Sequence, residues 1–128
     1  MILKFLSVFL GGGMGALLRY AVSVSAKKVF MIPVIGTFIV NIAGCFAIGF
    51  LFGLTLHKID ALPHTVKLFI TVGILGGLTT FSTLNVEVFE LIKSGKIFYG
   101  LFYMLISCLI GLLCTFGGYW TYIKGINS

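Results

Sequence analysis

The chain has 128 residues, of which 59% are hydrophobic and only 9% carry a charge. A water-soluble domain carries about a quarter charged residues, so this composition excludes one and indicates a protein embedded in lipid. The net charge of +6 comes from lysines and one arginine near the ends of apolar stretches, which is typical of headgroup anchors rather than of a nucleic-acid-binding surface.

Four apolar stretches are long enough to cross a bilayer, which takes about 20 residues as a helix. They predict helices over about 2–25, 34–56, 66–91 and 97–122, and one four-helix membrane domain over residues 1–128. The first stretch is too long for a cleaved signal peptide, and basic residues follow it where a cleavage site would stand. The predicted fold class is therefore an all-α integral membrane protein.

The second stretch carries a polar face in the middle of an apolar helix. Asn41 lies deep in this stretch, one turn after Thr37, so both side chains project from the same side. An unpaired amide in hydrocarbon is costly. On spacing alone, Asn41 serves either as a contact between helices or as part of a polar pathway.

The third stretch combines features that weaken a membrane helix. Gly76 and Gly77 precede four hydroxyl residues, which are Thr79, Thr80, Ser82 and Thr83. Glycine destabilises a helix interior, and hydroxyl groups compete for backbone hydrogen bonds. Irregular backbone at membrane depth is tolerated only where it is buried in protein or lines a cavity. We therefore predict a break near the middle of the third helix, with the functional site beside it.

The fourth stretch adds Tyr103 and Ser107 on one face, which extends the series of hydrogen-bond donors. The acidic residues are Asp60, Glu87 and Glu90, all near predicted membrane edges. A cation pathway favours carboxylates or converging carbonyls, so donors without a buried carboxylate favour an anion. The cysteines, which are Cys45, Cys108 and Cys114, are expected to be small hydrophobic filler. The sequence has no catalytic constellation, and we predict that the protein is not an enzyme.

The basic residues are divided almost evenly between the two sides of the membrane that four spans define. One side holds Lys4, Lys58, Lys67 and Lys124, and the other holds Arg19, Lys27, Lys28, Lys93 and Lys96. Because an excess of Lys and Arg sets the orientation of a membrane protein, this balance predicts insertion in both orientations. Two copies are then expected to pair antiparallel.

Three segments of the sequence resemble signature segments of the Fluc/CrcB fluoride channels. They read GGGMGALLRY at 11–20, GTFIVNIAG at 36–44 and GGLTTFST at 76–83, one in each of the first three spans. The resemblance implies a fluoride-selective passive channel in the bacterial cell membrane, which exports fluoride from the cytoplasm and relieves its toxicity. It also implies an antiparallel, dual-topology dimer with two pores.

The resemblance further implies roles for individual residues. The pore residues would be Asn41, Phe81, Thr80, Thr83, Tyr103 and Ser107, with Arg19 and Glu87 in the vestibules. Asn41 would offer its amide hydrogens to the ion, and Phe81 the electropositive edge of its ring. A structural sodium ion at the dimer centre would be held by the backbone carbonyls of Gly76 and Thr79.

The sequence departs from this family at Leu84, where the pattern has a second pore phenylalanine. Leucine fills a similar volume but has no electropositive ring edge. One consequence is a homodimer whose pores have a single ring each, with an altered rate or selectivity. The other is pairing with a homologous subunit, in which this chain is half of a heterodimeric channel or a non-conducting accessory subunit. The balanced charges favour the homodimer.

A rival function is that of a small proton-coupled multidrug exporter, which also has four helices and dual topology. Such an exporter needs a membrane-buried carboxylate to carry the proton, typically in the first helix. The first apolar stretch contains no Asp or Glu, which argues against this function.

Overall fold

The apolar stretches form long helices. The computed structural model describes residues 1–32, 34–57 and 62–127, and none of these residues lies in a β-strand. The helices are α1 (Ile2–Phe30), α2 (Ile35–His57), α3 (64–78), α4 (Phe81–Lys93) and α5 (Ile97–Asn127). Lys58 and Asp60, which the sequence predicts near the membrane surface, lie outside the described residues.

Four helical segments are long and apolar enough to cross a membrane. They are Ile2–Phe30, Ile35–Leu56, His64–Lys93 and Ile97–Gly125. Many of their large apolar side chains are exposed on the protomer. Exposed apolar surface is unfavourable in water, but hydrocarbon accepts it. The predicted all-α membrane fold with four spans is confirmed.

The third span is interrupted at Thr79 and Thr80, as predicted. α3 begins as an α-helix at His64–Leu68, continues as a π-helix at Phe69–Leu75 and ends with one turn at Gly76–Leu78. Thr79 and Thr80 then have extended backbone, with ψ angles of 153° and 119°. The chain resumes its helical path as α4.

The interruption divides the third span between two sets of neighbours. α3 packs mainly against α1, whereas α4 packs mainly against α5. α2 lies between these two groups, with α1 on one side and α5 on the other, and it contacts both halves of the third span. The backbone at the interruption is therefore placed against α2.

Glycines bring the helices into backbone contact at two interfaces. A Cβ atom at Gly15 would lie 2.8 Å from Leu78 N in α3, and one at Gly118 would lie 2.8 Å from Phe50 N in α2. Both distances are shorter than real Cβ contacts, so neither position accepts a side chain without a shift of the backbone. Helix association in lipid depends on such small residues.

We predict that Gly118→Ala destabilises the protein and that Gly117→Ala does not. The methyl group at position 118 meets the α2 backbone, and overpacking of this kind costs about 1–3 kcal/mol, against about 1 kcal/mol gained in helix propensity. A Cβ at Gly117 meets nothing within 4 Å, so the adjacent substitution is a matched control. Melting temperatures in detergent measure the difference, and equal values would contradict the close contact between α2 and α5.

Candidate functional site

The side chain of Asn41 on α2 pairs with the backbone of Thr80 at the interruption. Asn41 Nδ2 donates to the Thr80 carbonyl oxygen at 3.0 Å, and Asn41 Oδ1 accepts from the Thr80 N–H at 2.7 Å. The extended backbone takes the Thr80 N–H out of the helical hydrogen-bond ladder, and lipid offers no other partner. As the N-cap of α4, Thr80 also offers its carbonyl to the first turn of that helix. Asn41 therefore supplies the partner that the N–H lacks and a second partner for the carbonyl.

The hydroxyl group of Thr80 begins α4. It accepts a hydrogen bond from the Thr83 N–H at 3.1 Å, which is the arrangement expected of a threonine N-cap. The same hydroxyl donates to Thr83 Oγ1 at 3.0 Å and lies 3.2 Å from Ser82 Oγ. Thr80 is buried, whereas Ser82 and Thr83 are exposed, so the hydroxyl cluster leads from the interior to the surface of the protomer.

The interruption also redirects the usual donors of two carbonyl groups. In a continuous α-helix, the N–H of residue i+4 bonds to the carbonyl of residue i. The regular partner of the Gly76 carbonyl is the Thr80 N–H, which donates to Asn41. The regular partner of the Thr79 carbonyl is the Thr83 N–H, which donates to Thr80 Oγ1. Both carbonyls are thereby released from the helical ladder.

A groove with a volume of ≈ 400 Å³ runs along the interruption, between α2, α3, α4 and α5. Its polar lining consists of Asn41, Thr71, Thr79, Thr80 and Ser107. Among the described residues that line it, none carries a charge. The groove therefore combines amide and hydroxyl groups with apolar walls, and no carboxylate competes for the donors.

Ser107 on α5 supplies a donor that the fold does not use. The residue is only 8% exposed, and its Oγ has no hydrogen-bond partner among the described residues. A buried hydroxyl without a partner costs about 1–3 kcal/mol, so a guest in the groove that accepts this hydrogen bond is favoured. Asn41 Nδ2 also carries two hydrogens, and its bond to the Thr80 carbonyl accounts for one of them.

Phe81 and Leu84 both line the groove from the first turn of α4, but the first side chain is exposed and the second is buried. Phe81 is 66% exposed and lies at the open side of the groove. Leu84 is 4% exposed and packs against Val88 and Tyr103. The side chain at position 84 thus fills the interior between α4 and α5 while it also forms part of the groove wall.

A second polar cluster surrounds Glu87, one helical turn beyond Thr83. Thr37 Oγ1 donates to Glu87 Oε1 at 2.6 Å, and Tyr103 OH donates to Glu87 Oε2 at 2.8 Å. The carboxylate therefore has one hydroxyl donor for each oxygen. A cleft of ≈ 840 Å³ opens from this cluster and is also lined by Glu90, Ser94 and Lys96.

The structure separates the proposed site residues into two neighbouring cavities. The groove contains Asn41, Gly76, Thr79, Thr80, Phe81 and Ser107. The cleft contains Tyr103 and Glu87, and Thr83 joins the groove through its hydrogen bond to Thr80. Tyr103 and Ser107 share a face of α5, one turn apart, so the two cavities follow each other along this helix.

Arg19 and Thr37 show where sequence patterns were less informative. Arg19 is not among the described residues that line either cavity. It shares a face of α1 with Gly15 and Ser23, at helical spacing. Thr37 proves to be a direct partner of Glu87. Its position one turn before Asn41 identified the correct face of α2, but no pattern connects it to an acid 50 residues later.

Comparisons with known proteins identify the family. The family described as "CrcB-like protein, Camphor Resistance (CrcB)" matches residues 6–119 of this chain. The chain belongs to the CrcB family. A relative from Desulfotalea psychrophila is 38% identical over 118 residues, which is 92% of this chain and 91% of the relative. One from Aquifex aeolicus is 42% identical over 114 residues, which is 88% of this chain and 91% of the relative.

Both of these CrcB relatives bear the name fluoride-specific ion channel FluC. A third, from Bacteroides fragilis, has the same name and is 41% identical over 122 residues, covering 90% of this chain and 92% of the relative. The CrcB match covers all the groove and cleft residues described above. With its four spans, the chain is a multi-pass membrane protein of a bacterial family of channels, and channels are not enzymes.

We predict that Asn41→Leu lowers the stability of the protein, because leucine leaves the Thr80 N–H without a partner and removes one of the two donors to the Thr80 carbonyl. An unpaired buried N–H costs about 1–3 kcal/mol. Asn85→Leu is the matched control, since the Asn85 amide donates to the Phe81 carbonyl one turn back in the same helix. Thermal unfolding in detergent, followed by circular dichroism, compares the two. An Asn41→Leu melting temperature no lower than that of Asn85→Leu would contradict a stabilising role for the pairing.

Proposed function

We propose that this chain folds as one four-helix membrane domain and forms a fluoride-selective channel, through which fluoride leaves the cytoplasm passively. The observation that carries the proposal is the uncharged, donor-lined groove at the interruption of the third span. Relatives that are 38% and 42% identical to this chain, over most of its length, are named fluoride-specific ion channels. These names support fluoride as the ion.

The chemistry of the groove suits a small, strongly hydrated anion. Such an ion enters a pore only where hydrogen-bond donors replace its water. We assign this purpose to the second amide hydrogen of Asn41 and the hydroxyl of Ser107, because both residues line the groove and the Ser107 hydroxyl has no partner among the described residues. The edge of the Phe81 ring is electropositive and adds a further favourable contact. We assign the remaining steps of the pathway to Thr80, Thr83 and Tyr103, with Glu87 and Arg19 in the vestibules.

We further propose that two copies pair antiparallel and that each pore is completed by the partner subunit. The groove is open on one side, and Phe81 is largely exposed there. A Cβ at Gly76 meets nothing within 4 Å in the protomer, so a second copy is able to approach the backbone at this point. The balanced basic residues support insertion in both orientations.

Leu84 is consistent with a conducting homodimer. Because it packs in the interior with Val88 and Tyr103, the substitution leaves no defect in the fold of the protomer. The accessory-subunit alternative is not favoured, since the relatives bear the channel name over most of their length. We propose that the pore works with the Phe81 ring and an aliphatic wall at position 84.

A sodium ion fits the carbonyl groups that the interruption releases. Unwound backbone carbonyls in membrane helices coordinate Na⁺ in other transport proteins, and the carbonyls of Gly76 and Thr79 have lost their regular helical donors. A bound sodium would supply a fixed positive charge and a link between the two copies. We propose that these carbonyls, one pair from each subunit, hold it at the dimer axis.

Fluoride efflux from liposomes tests the channel. Vesicles loaded with potassium salts and treated with valinomycin should release fluoride but retain chloride when they contain this protein. Asn41→Asp should reduce fluoride release by about 100-fold or more, because a charge at about 4 Å from the anion costs about 4 kcal/mol at an effective dielectric constant of 20. Asn85→Asp adds the same charge outside the groove and should leave release intact.

Two results would contradict the channel proposal. One is the absence of fluoride release, both from this chain alone and from a mixture with a homologous subunit. The other is unchanged release by Asn41→Asp, which would remove Asn41 from the pathway. Release that requires the homologous subunit would replace the homodimer with a heterodimer.

Exchange of sodium tests the proposed ion and the dimer together. Purification in N-methylglucamine should dissociate the dimer, because the carbonyls of the two subunits then face each other without a cation. The molar mass from light scattering should fall from that of two chains to that of one, and added Na⁺ should restore it. A dimer that persists after complete removal of Na⁺ would contradict a structural role for the ion.

A further inference from the structure

α2 contacts the interruption of the third span at two points, one helical turn apart. Asn41 binds the backbone of Thr80 through its amide, and Gly44 lies against the preceding residue, Thr79. A Cβ atom at Gly44 would overlap the methyl carbon of Thr79, whereas the next atom, Thr79 Cβ, would lie at 3.7 Å, an ordinary van der Waals distance. The missing side chain of Gly44 therefore leaves a space that the methyl group of Thr79 fills.

The other branch of the Thr79 side chain fixes its rotation. Thr79 Oγ1 donates to the Leu75 carbonyl oxygen at 2.9 Å, and the Thr79 N–H donates to the same oxygen at 3.0 Å. A rotation about χ1 that moved the methyl group away from α2 would also move the hydroxyl group away from Leu75, because both are attached to the same carbon. The contacts with Gly44 and Leu75 therefore specify one rotamer of Thr79.

The direction of the Thr79 carbonyl follows from the same arrangement. A trans peptide is planar, so its N–H and its C=O point in opposite directions, and the described residues contain no cis peptide bond. The N–H of the peptide between Thr79 and Thr80 points at Asn41 Oδ1, so the Thr79 carbonyl points away from that side chain. Asn41 thus sets the direction of this carbonyl, and Gly44 sets how close the residue that carries it lies to α2.

We propose that Gly44 is a positioning residue for the Thr79 carbonyl, and that its missing side chain holds this oxygen where it binds sodium. The inference rests on the proposed function, in which the carbonyls of Gly76 and Thr79 hold the ion. A methyl group at position 44 requires Thr79 either to turn or to move away from α2. Turning breaks the hydrogen bond of its hydroxyl group to Leu75, and moving stretches the pairing of α2 with the next residue. Either change displaces the carbonyl.

The sodium concentration at which the dimer forms tests this role. In light scattering at constant ionic strength, with N-methylglucamine as the replacing cation, Gly44→Ala should need about 10- to 100-fold more sodium than the unmodified protein, as is typical when a residue that orients a metal ligand is changed. Thr79→Ser removes the methyl carbon and keeps the hydroxyl and the carbonyl, so it should dimerise at the unmodified concentration. The double variant Gly44→Ala/Thr79→Ser should do the same, because the nearest remaining atom of residue 79 then lies at 3.7 Å.

Gly118→Ala is the matched control for a general loss of stability. Its methyl group meets the backbone of Phe50, which is not among the described residues that line the groove. It should lower the melting temperature and leave the sodium requirement unchanged. An unchanged sodium requirement in Gly44→Ala, or no recovery in the double variant, would overturn the inference. If Gly44→Ala does not fold, a folded, sodium-dependent dimer of the double variant supports the inference and an unfolded one overturns it.

Failure of the proposed ion site gives a different result. The dimer of the unmodified protein would then form equally well without sodium, and the role of Gly44 in binding the ion would fail with the site. The melting temperatures of the same variants still decide the contact, since Gly44→Ala should melt lower than the unmodified protein and the addition of Thr79→Ser should restore the value.

Discussion

The pairing of the Asn41 amide with the backbone of Thr80 is the interaction on which the rest of the site depends. A membrane helix cannot be interrupted unless its freed polar groups find partners within the protein. Asn41 provides partners for the N–H and the carbonyl of Thr80 through hydrogen bonds of 2.7 and 3.0 Å. Without them, the N–H of Thr80 would be left unpaired at membrane depth.

The change of neighbours follows from this pairing. Because two residues are extended, α4 leaves the line of α3 and packs on α5 instead of α1. The space between α2 and the two half-helices becomes the groove, and the direction of α4 brings Glu87 against Thr37 and Tyr103. A single local departure from helix geometry thus positions both polar cavities, and it occurs at Thr80.

The sequence predicted the spans and the interruption, and it singled out Asn41 as either a contact between helices or part of a polar pathway, because each has a local physical signal. Apolar length gives the spans, and a glycine pair followed by hydroxyls gives the weak point of the helix. The contact of Thr37 with Glu87 has no such signal, since it depends on the angle at which α4 departs. The π-helix at Phe69–Leu75 also has no signal in the sequence, because its apolar residues suit an α-helix just as well.

In the proposed channel, the count of hydrogen-bond donors allows one site both to stabilise the fold and to bind an ion. The donors that shape the backbone are engaged: one amide hydrogen of Asn41 holds Thr80, and the hydroxyls of Thr37 and Tyr103 hold Glu87. Among the described groove residues, the donors left over are the Ser107 hydroxyl and the second amide hydrogen of Asn41. In the proposed channel, an anion bound by these surplus donors breaks no hydrogen bond of the fold. A site that instead had to release the Thr80 backbone would lose the interruption itself.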